Sequence, residues 1–186
     1  MNLLSTANLR EDHKTVKKLR DIVNQCSSQI YSGKKIPIED IRDILVVIEE
    51  FVGNCHHGKE ECAYFPKTCE VDSANVKETD ALKIEHELGR RIGKFIERSL
   101  SEYLSDNRTE PVARFLKAYR HFLDSHLSRE EKFFKHIDKS ITAEKIEDQN
   151  VVEQFEKIEE EKIGHGRHKE LEIIILRLEQ CNWMKQ

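Results

Sequence analysis

With 186 residues, 35% charged and 38% hydrophobic side chains, seven glycines and three prolines, the chain suits one domain of long helices better than a turn-rich sandwich or barrel. The formal charge of -4 comes with no basic stripe interleaved with aromatics, which argues against a nucleic-acid partner, and no apolar run approaches the roughly 20 residues that span a bilayer. The N-terminal stretch lacks the pattern of a signal peptide, and the five cysteines are an odd number in a chain that needs no disulfides, so reduced thiols in a cytoplasmic protein are expected.

Apolar residues at Leu9, Val16, Leu19, Ile22, Val23 and Ile30 predict a first helix from Leu3 to Tyr31. Ser32-Gly33-Lys34-Lys35 breaks it, and Pro37 sits near the start of a second helix, Ile38 to Phe65, with Ile41, Ile44, Leu45, Ile48, Phe51 and Val52 at three-four spacing. Pro66 to Asn75 reads as a loop. A third helix is expected from Val76 to Leu104 through Leu82, Ile84, Leu88, Ile92, Phe95 and Leu100, then a turn at Ser105-Asp106-Asn107-Arg108. Thr109 has the position of an N-cap, with Glu110 and Pro111 in the first turn of a fourth helix that runs to about Ile137. Two shorter helical stretches follow, Asn150 to Ile163 and Arg167 to Cys181, separated by Gly164-His165-Gly166. Long helices with short connections imply antiparallel neighbours: an all-α, up-down-up-down four-helix bundle over residues 1–138, with residues 139–186 packed on the same domain as C-terminal helices.

The second helix carries the densest chemistry. In His56-His57-Gly58-Lys59-Glu60-Glu61, residues four apart share a helix face, so His56 and Glu60 converge on one point. The pattern recurs in the fourth helix as His126-Leu127-Ser128-Arg129-Glu130-Glu131. Rise per residue tests whether these groups meet. From the first turn, His13 is about 20 residues back and His56 about 23 forward, and from the turn near Asn107, His86 and His126 are about 21 and 19 away, so all four lie at one height. The set His13, His56, Glu60, His86, His126 and Glu130 is too rich for one zinc and matches two six-coordinate irons with the glutamates bridging. No histidine has a glutamate three residues before it and HExxH is absent, which excludes the ferritin-like pattern and the zinc-protease pattern.

His57 and Glu61 fall one position, about 100°, off that face and read as groups that flank the ligands, or as surface, and a one-residue shift in facing would make them ligands. Arg90, one turn beyond His86, reads either as a partner of a glutamate near the site or as a surface residue. His168 is a candidate extra imidazole or a hydrogen-bond partner of a ligand. Cys55, Cys62 and Cys69 recur every seven residues without CxxC pairing and read as buried thiols, with Cys69 beyond the helix end at Pro66. The run Glu159-Glu160-Glu161-Lys162 reads as a solvated face.

Taken together, Glu11-Asp12-His13, His56-His57-Gly58-Lys59-Glu60-Glu61 leading to Phe65-Pro66, Glu85-His86-Glu87-Leu88-Gly89-Arg90, His126 to Glu131 with Phe133-Phe134, and Gly164-His165-Gly166-Arg167-His168 resemble the hemerythrin-like (HHE cation-binding) family in its bacterial and archaeal branch. The resemblance implies two non-haem iron ions with an oxo or hydroxo bridge in a four-helix bundle, binding dioxygen or reacting with peroxide or nitric oxide. Three roles are compatible with such a centre: oxygen binding or sensing, a peroxide- or nitric-oxide-consuming enzyme or iron donor in iron–sulfur repair, and an oxygen-responsive interaction module. Oxygen-carrying members have two ligand histidines four apart on the third helix, whereas the neighbours of His86 at that spacing are Leu82 and Arg90. Their final pair is a His and an Asp five apart, against His126 and Glu130 here. One imidazole fewer opens a coordination position or calls in a substitute.

Overall fold

A computed structural model describes residues 3–106 and 109–185, and within them the chain is all-α. Helix α1 spans Leu4–Tyr31. Helix α2 is continuous over residues 38–71 but changes winding along its length, with π-helical segments at Val47–His56 and Glu60–Tyr64. Helix α3 spans Val76–Asp106 and α4 Glu110–Ser140. Then come the single turn α5 (Ala143–Ile146), α6 (Asp148–Ile163) and α7 (Arg167–Glu179). Helices α1 and α3 flank α4 and α2 closes the bundle, while α6 and α7 lie over the seam between α1 and α2.

Sequence explains most of the boundaries. Gly33, with φ of 82°, ends α1 in a left-handed turn that other residues adopt at a cost. The N-terminus of α1 has no side-chain cap of its own. Asp138 accepts from the Leu3 amide at 3.0 Å and Asp148 from the Ser5 amide at 3.0 Å, so two carboxylates meet the positive end of the helix. Gly164 and Gly166 both have positive φ and form the corner between α6 and α7.

Several expectations are corrected. The second helix does not stop at Pro66. A fresh α turn, Phe65–Val71, begins directly after the second π segment, and Pro66 lies in its first turn, where its fixed φ is compatible with helix. Cys69 is therefore helical and half-buried, and Cys62 is exposed; of the three spaced cysteines, Cys55 alone is fully buried. On α3 the core positions are Leu82, Ile96 and Leu100, while Ile84, Leu88 and Phe95 are exposed. Ser105 and Asp106 belong to α3; Asn107 and Arg108, the remainder of the expected turn, lie outside the described residues. Thr109 precedes α4, but its side chain makes no capping hydrogen bond.

The apolar core is split in two. One part contains Val16, Ile22, Phe51, Val52, Ile96, Leu123 and Leu127, joined by Leu171, Ile175 and Trp183 of the C-terminal segment. The other contains Leu9, Tyr64, Phe65, Leu82, Phe133 and Phe134, joined by Val151 and Phe155. Each long helix passes from one part to the other through a polar position: His13 on α1, His56 to Glu60 on α2, His86 on α3, and His126 with Glu130 on α4.

Candidate metal centre

Seven donors line this layer. His13, His56, Glu60 and Glu130 offer atoms within 4.8 Å of one another, and so do His57, His86 and His126. All seven are buried, none more than 3% exposed. The glutamates lie between the two imidazole sets. Glu130 Oε2 is 3.1 Å from His13 Nε2, while its Oε1 is 2.9 Å from His126 Nε2 and 3.3 Å from His86 Nε2. Glu60 Oε2 is 3.7 Å from His56 Nε2 and 3.3 Å from His86 Nε2.

His57 is the residue whose placement departs most from a regular helix. Its ring stacks on His86 at 3.8 Å with 7° between planes, and meets the edge of His126 at 5.4 Å. A π turn closes i→i+5 and so winds less per residue than an α turn. With π turns on both sides of residues 57–59, positions 56, 57 and 60 all become inward-facing. The outer side of the same stretch is covered too: a Cβ on Gly58 would meet Ile158 of α6 at 3.4 Å. Residues 55 to 60 are consequently buried without a break.

The backs of the imidazoles rest on charged partners. His86 Nδ1 is 2.7 Å from Glu61, which also accepts two bonds of 3.1 Å from Arg90. His126 Nδ1 is 2.9 Å from Glu85, which accepts from Arg129 at 2.7 Å, and Arg129 reaches on to Glu78. His56 Nδ1 faces Asp12 at 3.4 Å, and Asp12 is neutralised by the buried Lys59 at 3.1 Å. Carboxylates behind ligating imidazoles fix the tautomer and turn Nε2 inward. Glu61 and Arg90 thus stand behind His86. Asp12, Glu85, Arg129 and Lys59 were not singled out; the available signal was an acidic residue directly before each of His13 and His86.

Three aromatic rings close the layer: Phe134 stacks on His13 at 5.3 Å, Phe65 on His86 at 5.8 Å and Phe122 on His126 at 5.1 Å. His168 approaches from α7, against Phe51 and 3.6 Å from Asp12, and is half-buried. His165, His121 and His136 are exposed.

The layer's electrostatics without metal are those of a cation site. Burial disfavours charge on His86, yet Glu130, Glu60 and Glu61 outweigh it and hold its pKa up at about 11. Burial likewise opposes charge on His126, but Glu130 and Glu85 raise it to about 9. His57 goes the other way: burial, then the neighbouring His86 and His126, keep it neutral. Burial disfavours the Glu130 carboxylate, but His126, His13 and His86 hold its pKa well below the usual range.

Both ring nitrogens of His57 and Oε1 of Glu60 are buried without a hydrogen bond, and His13 Nε2, His56 Nε2, His126 Nε2 and Glu130 Oε2 are met only by one another and by the glutamates of the same layer. At about 1–3 kcal/mol for each unsatisfied buried group, such a set is costly unless a cation satisfies it. Imidazoles and carboxylates converging in this way fit metal ions.

Fold and site therefore define a cation-binding helical domain. The hemerythrin HHE cation-binding domain matches residues 4–137, so the chain belongs to that family. No curated protein and no solved structure matches it significantly. Among the described residues no helix is long and apolar enough to cross a membrane.

Proposed function

We propose that His13, His56, Glu60, His57, His86, His126 and Glu130 hold two non-haem irons, and that this centre binds dioxygen or a related small ligand such as peroxide or nitric oxide. The observation that carries the reading is the position of Glu130, with one oxygen toward His13 and the other toward His126 and His86. A carboxylate so placed serves two ions, one on each imidazole set. His57 is the substitute for the imidazole that the third helix lacks. Nitrogen and oxygen donors without thiolate suit six-coordinate iron, and seven protein donors leave positions for small molecules.

An iron pair supplies redox chemistry toward such a ligand; the protein decides what reaches it. The donors are almost fully shielded, and Phe65, Phe122 and Phe134 form an apolar wall. Donors this deeply buried suit a small ligand such as a diatomic molecule or peroxide better than a bulky or charged substrate. Glu61, Glu85 and Asp12 orient the imidazoles and sustain their basicity.

Metal content and the near-ultraviolet and visible spectrum test this, recorded on anaerobically reduced protein and again after oxygen is admitted. Two irons per chain, with charge-transfer bands on oxidation, are expected. Bands that fade when oxygen is removed identify reversible binding, and lasting oxidation identifies turnover of peroxide or nitric oxide. A single colourless zinc would overturn the proposal.

A further inference from the structure

The two imidazole sets are supported differently. Behind His86 and His126 stand Glu61 and Glu85, whose side chains are 26% and 27% exposed and which pair with arginines at the surface. Behind His56 stands Asp12, with a side chain only 6% exposed. Its Oδ2 serves His56 and Lys59, and its Oδ1 faces His168 Nε2 at 3.6 Å. Lys59 in turn reaches Glu159 of α6 at 3.1 Å, so Glu159 is not part of a wholly solvated face.

His168 is delivered by deliberate local structure. Gly164 and Gly166 turn the chain with positive φ, and α7 starts at Arg167. Arg167 clamps that first turn to α2 through Glu50 at 2.6 and 3.1 Å. Phe51 supports the His168 ring at 5.0 Å, and His168 Nε2 is itself buried without a hydrogen bond. This helix lies outside the 4–137 segment that matches the family.

We infer that His168 is a positioning residue for one half of the metal centre: it holds Asp12, Asp12 holds His56, and helix α7 is thereby part of the apparatus that retains the ion on the His13–His56 side. The inference rests on the two-iron reading above. Contacts of 3.4 and 3.6 Å are longer than formed hydrogen bonds, and such networks shorten when the ligand at their end is engaged. Loss of a residue behind a metal ligand costs about 10–100-fold in affinity, and one step further out the lower end applies. The effect belongs to one ion, because the polar partners shown for Glu61, Arg90, Glu85 and Arg129 lie on α2, α3 and α4 and not on α7.

The experiment is anaerobic release of Fe2+ from the loaded full chain to a chromogenic chelator. In His168→Ala, one of the two irons should leave about tenfold faster while the other keeps its rate. His168→Gln, which retains an N–H for Asp12, should restore most of the retention, and Asp12→Asn should accelerate the same iron by more. Unchanged release in His168→Ala overturns the inference. So does equal acceleration of both irons that His168→Gln fails to correct, since that is general loosening. A wild-type protein that holds fewer than two irons overturns the underlying reading, and the inference with it; two irons released from the variant at wild-type rates leave that reading standing.

Discussion

Replacing His57 with phenylalanine should change stability in opposite directions with and without metal. The ring is buried, both its nitrogens lack a hydrogen bond, and burial followed by the neighbouring His86 and His126 keeps it neutral. In the metal-free protein, Phe removes two unsatisfied polar atoms, each worth about 1–3 kcal/mol, and preserves the stack on His86. The larger ring costs about 1–3 kcal/mol in overpacking, so the net is about 2 kcal/mol of stabilisation. For a chain of this size that corresponds to a Tm about 4–8 °C higher. The loaded protein loses an imidazole; a hundredfold weaker hold on one ion removes about 2.7 kcal/mol of linked stabilisation. Thermal melts in anaerobic iron and in chelator, with metal content measured on the same samples, should therefore show the gap between the two states shrink from both ends. An equal fall in Tm under both conditions would mean that His57 merely packs, and the seven-donor reading would fail.

Other perturbations test other parts of the site. Glu130→Gln removes the carboxylate that faces both imidazole sets and should lower iron to less than one per chain; full occupancy by metal analysis would sink its bridging role. In Gly89→Ala the new Cβ would lie 2.6 Å from the Phe122 ring that stacks on His126, so a loss of about 1–3 kcal/mol is expected in denaturant melts, recovered when Phe122→Leu is added. Metal uptake at pH 7 should release protons, because His86 and His126, held at about 11 and about 9, carry them in the metal-free protein; a weakly buffered indicator dye would reveal the release or its absence. The sign for metal-free stability follows from pKa values raised above the unfolded value. The contribution of His86 and His126 is fully present below about pH 6.5 and is lost as pH rises through about 9 and then about 11.

The bundle was legible because its helices are long and their apolar spacing regular. Leu9, Val16, Leu19 and Ile22 on α1 and Phe115 to Phe134 on α4 announce themselves at three-four spacing, and helix rise alone puts His13, His56, His86 and His126 in one layer. The same rule misled on α3. Ile84, Leu88 and Phe95 satisfy the spacing yet face outward, because the inward side is set by Leu82, His86 and Ile96. Proline at 66 suggested an end that a change of winding removes. The C-terminal segment hid the rest: a reading in which α2 has one wet side leaves Lys59 exposed, and α6 laid over the seam buries it. Asp12 went unnoticed for a related reason, since its partners Lys59 and His168 come from α2 and α7.

The least legible feature, the π winding of α2, is also the one on which the site depends. On a regular helix, residues 56 and 57 are about 100° apart, and no straight run presents both together with residue 60 to one layer. The slower winding within Val47–His56 and Glu60–Tyr64 makes that presentation possible, and π segments carry a cost in hydrogen-bond geometry that persists where function requires it. Deleting Gly53, which is half-buried inside the first π segment, lets that segment return to regular winding. The lost residue and the faster winding offset one another, so Phe51 and Val52 keep their place in the core and Glu60 keeps roughly its facing. His57, by contrast, loses the slow winding that brings it inward beside His56. The deletion should leave helical content near that of the parent and reduce bound iron below two per chain, because the His57–His86–His126 set loses one imidazole. Circular dichroism and metal analysis on one preparation decide the matter: a deletion variant that still binds two irons would show that the π winding is incidental to the centre.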